Sequence, residues 1–109
     1  MPKFIAIGYG DRAGYDQTPL AVRAAAHAHD DKLKQHGAII GIAGAPVQVR
    51  NPDDTGVETI DTAFMSASLP IAGFSVIEAT DLAEAIQLAS LTPCAVAHGV
   101  VEVWSLEES

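Results

Sequence analysis

The chain has little cysteine, little positive charge and no long hydrophobic run. Cys94 is its one cysteine among 109 residues, which excludes an intrachain disulfide and a cysteine-based zinc site. Lys and Arg number 6 against 14 Asp and Glu, so the formal net charge is −8. Such a surface repels phosphate backbones. No apolar run approaches the ~18 residues that cross a bilayer, and no basic amphipathic helix suits an anionic membrane. We therefore expect neither nucleic acid nor membrane as a partner.

What the chain has in excess is apolar residues. Hydrophobic residues make up 49% and charged residues 18% of the sequence. That is rich for a small chain, so either the core is large or a second subunit covers apolar surface. The length predicts one domain over residues 1–109. The opening MPKFIAIGYGD reads as a strand rather than a signal peptide, so we expect a cytoplasmic protein.

Hydrophobic periodicity and turn residues predict four main strands, a hairpin and two helices. The strands are residues 3–9, 38–45, 72–79 and 99–106, and the hairpin pairs 47–50 with 57–60 across NPDDTG. One helix runs from an N-cap at Thr18-Pro19 to Gly37. The other begins at Asp81, with Glu84 as its capping-box partner, and is stopped by Pro93. Residues 10–18 and 61–70 are predicted to be loops.

The order of these segments predicts an α+β fold. Strand–helix–strand units joined by a hairpin give a ferredoxin-like βαββαβ antiparallel sheet with two helices on one face and an extra hairpin. In the last strand Val101 and Val103 alternate with Val100 and Trp104, so both faces carry apolar bulk. Because such a strand needs cover on both faces, the predicted assembly is a homodimeric α+β barrel.

Four parts of the chain resemble one known family. They are the opening KFIAIGYGD, DTAF at residues 61–64, Gly73-Phe74 and the closing stretch TPCAVAHGVVEVW. Together they resemble the DGPF-domain proteins of the YCII-related superfamily, over nearly the whole chain. The resemblance implies the same ferredoxin-like fold and dimeric barrel, and it implies no particular reaction.

Some positions depart from that family's pattern. Thr62-Ala63 stand where the DGPF motif has Gly-Pro. The YCII branch carries an Asp before its proline and a histidine on its first helix, and the matching positions here are Thr92 and about Ala26. The resemblance therefore implies that the His/Asp pair suspected of catalysis in that branch is missing at its usual positions.

The first predicted helix holds three of the four histidines, within AAAHAHDDKLKQHG at residues 24–37. At about 100° per residue, His29 falls on the apolar stripe, whereas His27 points to water with Asp31. His29 has two open interpretations. It is a core histidine bonded to a carbonyl or water, or it is a general acid/base in a cleft between helix and sheet.

Other polar and aromatic residues complete the predicted site. Asp61 keeps the family's aspartate and either caps its loop or orients a neighbour. Glu102 faces the seam of the predicted barrel, where its charge needs a partner, and it either pairs across the interface or takes part in proton transfer. The candidate catalytic residues are therefore His29, Asp61 and Glu102, and the candidate substrate-binding residues are Tyr9, Phe64, His98 and Trp104.

Three functions fit this sequence. The first is a cofactor-free lyase or isomerase acting on a small polar molecule, with His29 as proton shuttle and Asp61 or Glu102 as its orienting group. The second is a non-catalytic ligand-binding or regulatory module, since some DGPF genes lie beside sigma factors. The third is a structural dimer with a decayed site. No metal is expected, because His27 and Asp31 supply two ligands at most, and the glycines after the first strand lack a dinucleotide or phosphate-loop spacing.

Overall fold

The computed structural model describes residues 1–107 and contains six strands and four α-helices in that part of the chain. In chain order they are β1 (Lys3–Tyr9), α1 (Arg12–Gln17), α2 (Leu20–Gln35), β2 (Ile39–Ile42), β3 (Gln48–Arg50), β4 (Glu58–Ile60), β5 (Ile71–Glu78), α3 (Leu82–Ser90), α4 (Pro93–Val96) and β6 (Val100–Leu106). One sheet has the order β2-β5-β1-β6, with every neighbouring pair antiparallel. The α+β class is confirmed, and this strand order fits the predicted ferredoxin-like arrangement.

The helices pack on one face of the four-stranded sheet, which we call the covered face. Phe4 of β1 pairs with Ile77 of β5, and the two are 3% and 2% exposed. Ala85 of α3 belongs to the same buried cluster, and Val103 of β6 packs against it. Because successive strand residues point to opposite faces, the residues between these define a second face without helices.

We call this second face the open face. It carries the charged residues Lys3, Glu78 and Glu102 and the apolar or aromatic residues Ile5, Ile7, Tyr9, Ile39, Phe74, Val76, Val100, Trp104 and Leu106. Several of these side chains are largely exposed: Ile39 is 72%, Phe74 49% and Trp104 57% exposed. The chain by itself therefore leaves an apolar sheet surface in contact with water.

The predicted hairpin is confirmed and forms a second, two-stranded sheet. Strands β3 and β4 pair antiparallel, with Val49 opposite Thr59. We call residues 46–65, which include this hairpin, the arm. The radius of gyration of the chain is 15.7 Å, and its extents are 52 × 35 × 20 Å. A compact chain of this length has a radius of gyration of about 13 Å, so the molecule is elongated.

The predicted loop over residues 10–18 is wrong, because it contains α1. The Asp11 carboxylate accepts a hydrogen bond from the Gly14 amide at 2.8 Å and so caps the start of this helix. Thr18 was predicted as the N-cap of the next helix and instead closes α1: its hydroxyl donates to the Gly14 carbonyl at 2.9 Å. Pro19 takes the N-cap position of α2 and makes no side-chain bond there.

The ends of the two long helices agree only partly with the prediction. Gly37 has φ 96°, as a left-handed helix end requires, although α2 itself ends at Gln35. Asp81 caps α3 as predicted, by accepting from the Glu84 amide at 2.9 Å. The Glu84 carboxylate, however, accepts from the Thr80 amide at 2.9 Å and not from Asp81. Pro93 begins α4 instead of stopping α3, which has already ended at Ser90.

Candidate functional site

The seven predicted site residues lie in four separate regions. His29 is on α2 at the covered face; Tyr9, Glu102 and Trp104 are on the open face; Asp61 and Phe64 are in the arm; His98 is in the turn before β6. Only the open face brings three of them together. On β6, Trp104 follows Glu102 by two residues, so both side chains project from the same face.

His29 is hydrogen-bonded to the backbone of a neighbouring helix. Its Nε2 lies 2.7 Å from the Leu88 carbonyl oxygen of α3. Because a carbonyl oxygen can only accept, Nε2 carries the proton and donates it. The bond ties α2 to α3 and satisfies a half-buried imidazole. A bond to a carbonyl is what the interpretation of His29 as a core histidine requires. Nδ1 is then the ring nitrogen that remains for a contact with another group.

Tyr9 and Glu102 form a polar pair within the apolar open face. The Tyr9 hydroxyl donates to Glu102 Oε1 at 3.4 Å. In the β1–β6 register Ile7 lies opposite Glu102 and Tyr9 opposite Val100, which makes Tyr9 and Glu102 diagonal neighbours. The sequence predicts that the charge of Glu102 needs a partner, and within one subunit that partner is Tyr9.

The environment keeps the Tyr9 phenol protonated. Tyr9 is 9% exposed. Burial, and then the charge and hydrogen bond of Glu102, raise the pKa of Tyr9 above its ordinary value of 10.0. The phenol therefore donates its one proton to the Glu102 carboxylate. That arrangement leaves a carboxylate oxygen that can take a proton from a bound molecule and a phenol oxygen that can accept a hydrogen bond from it.

The arm residues lie beside a cleft between the arm and the open face. The cleft has a volume of about 470 Å³ and is lined by Arg50 and Phe64 from the arm and by Ile71 and Phe74 from β5, among others. The Arg50 guanidinium carbon lies 5.7 Å from the centroid of the Phe64 ring. Phe64 is 76% exposed, so the cleft is open to solvent. Asp61 is exposed and does not line it.

His98 lies apart from these groups. It is exposed and adopts a left-handed backbone conformation, with φ 63°, in the turn that leads from α4 into β6. Such a conformation is uncommon outside glycine. In the next residue, a Cβ at Gly99 would overlap the Tyr9 carbonyl oxygen, so this turn packs closely against the end of β1.

Sequence reasoning missed a polar cluster between α1 and α2, because α1 was not predicted. Tyr15 Oη and His27 Nε2 lie 2.8 Å apart, so the imidazole of His27 contacts this phenol. The Arg23 guanidinium carbon lies 4.8 Å from the centroid of the Tyr15 ring. The missed signal is Asp11, a capping residue three positions before Gly14.

Asp30 and Cys94 are half-buried titratable groups on facing helices of the covered side. Within the described residues, Asp30 Oδ1 is buried without a hydrogen-bond partner. Burial raises the Asp30 pKa, and the nearby His29 and His27 oppose that shift. Burial and Asp30 also raise the pKa of the Cys94 thiol. A thiol with a raised pKa is a poor nucleophile.

Among residues 1–107, no group of three or more His, Cys, Asp and Glu side chains is arranged to hold a metal ion. In the same range, no helix combines the length and apolar character that crossing a bilayer requires.

A family model described as the YCII-related domain matches residues 3–108. The chain belongs to the YCII-related domain family. This confirms the superfamily that the sequence resembles, while membership of the DGPF branch stays a prediction. A search of curated proteins finds no match.

The resemblance places the His and Asp of the YCII branch at about Ala26 and at Thr92. Ala26 is 2% exposed and packs inside the covered side. The Thr92 hydroxyl donates to the Ala89 carbonyl at 2.6 Å, at the end of α3. Neither Ala26 nor Thr92 has a titratable side chain.

Proposed function

We propose that this YCII-related protein is a homodimeric, cofactor-free enzyme of the lyase or isomerase type. In this proposal the Glu102 carboxylate transfers a proton on a small organic molecule and the Tyr9 hydroxyl orients that molecule. The observation that carries the proposal is the Tyr9–Glu102 hydrogen bond within the apolar open face. A carboxylate within reach of a substrate proton is a competent general base.

The dimer part of the proposal is supported by the exposed apolar side chains of the open face. Val100 and Trp104, which flank Glu102 on β6, are 56% and 57% exposed in the single chain. A second copy seated on this face removes them from water, which stabilises the assembly. It also removes water from around the half-buried Glu102, and electrostatic interactions strengthen in such an environment.

His29 has a structural role in this proposal, not the proton-shuttle role considered from the sequence. Its imidazole is engaged with the Leu88 carbonyl on the covered side of the sheet. Glu102 projects from the opposite face. Because the sheet separates them, His29 and Glu102 of one subunit cannot act on the same small molecule.

Proton transfer can be detected before the substrate is known. Members of a small-metabolite library are incubated with the protein in D2O, and NMR follows the loss of carbon-bound protons. The wild-type protein is expected to accelerate exchange of at least one compound. Glu102→Gln is expected to slow that exchange by about 10²–10⁴-fold, the usual contribution of a positioned acid or base.

Glu107→Gln is the matched control, since Glu107 follows the same strand and is exposed. It is expected to exchange at the wild-type rate. If Glu102→Gln exchanges the compound at the wild-type rate, Glu102 does not transfer the proton.

A second candidate is a structural dimer whose ancestral site has decayed. It is favoured by the buried Ala26 and the backbone-bonded Thr92 at the two positions that the resemblance marks. It predicts that the protein dimerises and exchanges no compound. A ligand-binding or transcription-associated role stays a prediction from the sequence.

A further inference from the structure

The cleft between the arm and the open face is a candidate binding site that the proposed function does not use. Its volume of about 470 Å³ lies in the range of roughly 300–1,000 Å³ that small-molecule sites have. Phe74 of β5 lines it from the sheet, and Phe64 lines it from the arm. Neither Tyr9 nor Glu102 lines it. What this cleft can bind therefore depends on its own residues.

Two side-chain contacts hold the segment that carries Phe64 against β3. The Gln48 side-chain amide donates to the Thr62 hydroxyl oxygen at 3.0 Å. Two residues along the strand, the Arg50 guanidinium carbon lies 5.7 Å from the centroid of the Phe64 ring. Gln48 and Arg50 project from the same face of the hairpin, because alternate residues of a strand do so. The cleft is therefore shaped by contacts within a single chain.

Arg50 gives this cleft a positive charge. Of the residues that line it in the described part of the chain, Arg50 alone is ionised at neutral pH. Glu58 lies directly opposite Arg50 in the hairpin register. Within residues 1–107, however, the carboxylate of Asp16 pairs with Arg12, and no carboxylate pairs with Arg50. The charge of Arg50 is therefore available to a ligand.

The contact with Phe64 leaves the hydrogen-bond donors of Arg50 available as well. A cation over an aromatic ring is held by the charge distribution of the ring and not by hydrogen bonds. The guanidinium carries five N–H groups, and in the described residues none of them donates to a protein acceptor. Two N–H groups of one guanidinium match the two oxygens of a carboxylate. Arg50 is thus suited to a carboxylate ligand.

The surrounding charges limit such a ligand to one carboxylate. The arm contains four acidic residues, Asp53, Asp54, Glu58 and Asp61, beside its one arginine. The whole chain carries a formal net charge of −8. One guanidinium compensates one carboxylate, whereas a second negative charge on the ligand would be repelled.

We propose that the cleft binds a small monocarboxylate with an apolar or aromatic body. Arg50 holds the carboxylate, and the rings of Phe64 and Phe74 pack against the body. Binding at this site depends neither on the proposed dimer nor on proton transfer by Glu102.

The test uses phenylacetate and its uncharged analogue phenylacetamide as probes. Each compound is added to the isotope-labelled full chain, and the NMR shifts of the backbone amides are followed. We expect phenylacetate to bind about tenfold more tightly than phenylacetamide, the usual effect of a charge-assisted hydrogen bond. The net charge of the protein acts in the opposite direction. The shifted amides are expected to lie in residues 46–65 and 71–74.

Arg50→Gln is expected to weaken phenylacetate binding about tenfold, because it removes the charge that pairs with the carboxylate. It is expected to leave phenylacetamide binding unchanged. Arg12→Gln is the matched control, since it removes the same charge from an arginine of α1 that does not line the cleft. That variant is expected to bind both compounds as the wild type does. Arg50 and Arg12 are both exposed, so both variants are expected to fold, which the NMR spectra establish.

Phe64→Ala tests the apolar part of the site. It removes the ring and leaves Arg50 in place, so it is expected to weaken both compounds by a similar factor.

Four results would each overturn the inference. They are equal binding of the two compounds to the wild type, equal weakening of phenylacetate by Arg50→Gln and Arg12→Gln, shifts that map outside the cleft, and no binding of phenylacetate at millimolar concentration. All of them concern binding alone, so the exchange experiment in D2O remains a separate test of Glu102.

Discussion

Replacing Ile39 by glutamate is expected to dissociate the proposed dimer without unfolding the subunit. Ile39 lies on the open face opposite Val76 and is 72% exposed in the single chain. A charged side chain at such a position costs the monomer little, because most of it already contacts water. In the dimer the same position faces the partner, where an unpaired carboxylate is costly.

The size of the effect follows from the exposed fraction. Complete burial of an isoleucine side chain contributes about 1.5–3 kcal/mol. Dimerisation buries at most the 72% that is still exposed, which corresponds to roughly 1–2 kcal/mol per copy. In a twofold dimer the substitution occurs twice, so the loss is about 2–4 kcal/mol. At 1.4 kcal/mol per factor of ten, the dissociation constant rises by roughly 30- to 1,000-fold, before any cost of burying the carboxylate.

Sedimentation and fluorescence measure this change independently. Trp104 is the one tryptophan of the chain and lies on the open face, where it is 57% exposed. Its emission is expected to shift to longer wavelength when the dimer dissociates on dilution. Ile39→Glu is expected to show the long-wavelength emission at concentrations where the wild type does not.

The matched control is Leu20→Glu. Leu20 is 76% exposed, nearly the same as Ile39, but it lies at the start of α2 on the covered side. It is expected to sediment and fluoresce as the wild type does. The reasoning is refuted if Ile39→Glu and wild type associate equally, or if Leu20→Glu dissociates the dimer as strongly as Ile39→Glu.

Three further predictions concern the core and the titratable groups. Ile77→Ala is expected to lower the free energy of unfolding by about 2–5 kcal/mol in urea titration, because Ile77 is 2% exposed in the core; a smaller loss contradicts its place there. Glu102→Gln is expected to lower the pKa of Tyr9 toward 10.0, because the Glu102 carboxylate contributes to raising that pKa. The pKa is expected to stay above 10.0, because burial of Tyr9 also raises it. Phenolate absorbance measures the shift, and Glu107→Gln is expected to leave the pKa of Tyr9 in place. Because burial raises the Asp30 pKa above 3.8, the contribution of Asp30 to stability falls as pH rises from 3.8 through its folded pKa. Asp30→Asn is thus expected to raise the melting temperature near neutral pH and to leave it unchanged below pH 3.8. An equal rise in melting temperature at both pH values contradicts this assignment.

The four-stranded sheet is predictable from the sequence because its strands are apolar runs between turn residues. The hairpin follows from NPDDTG in the same way, although the connection covers residues 51–57, one residue more than predicted. Helix α1 is not predictable by periodicity, because RAGYDQ has no apolar stripe. It depends on a single cap at Asp11 and on packing of Gly14, where a Cβ would come within 2.5 Å of the Ala97 carbonyl oxygen.

The candidate site was only partly predictable, because its contacts join residues far apart in the chain. Tyr9 and Glu102 were both candidates, but their contact spans 93 positions and depends on the β1–β6 register. His29 could be placed on the apolar stripe, as a half-buried side chain bears out, but nothing local indicates that the Leu88 carbonyl lies 59 positions away as its partner. Periodicity predicts the face on which a residue lies, and only the tertiary packing decides which group it meets there.

The two faces of the sheet differ in what they leave free for chemistry. On the covered side, His29 is engaged by the backbone, Cys94 has a raised pKa, and Ala26 and Thr92 carry no titratable group. The Tyr9–Glu102 pair lies on the face that a single subunit leaves open, whereas the Asp30 carboxylate, whose Oδ1 has no partner among the described residues, lies half-buried on the covered side. Glu102 is only half-buried in the monomer, so water reaches its carboxylate and weakens its interactions with a ligand. In the proposed enzyme, association of the subunits is therefore a condition for proton transfer, because the second copy supplies the enclosure that one chain does not.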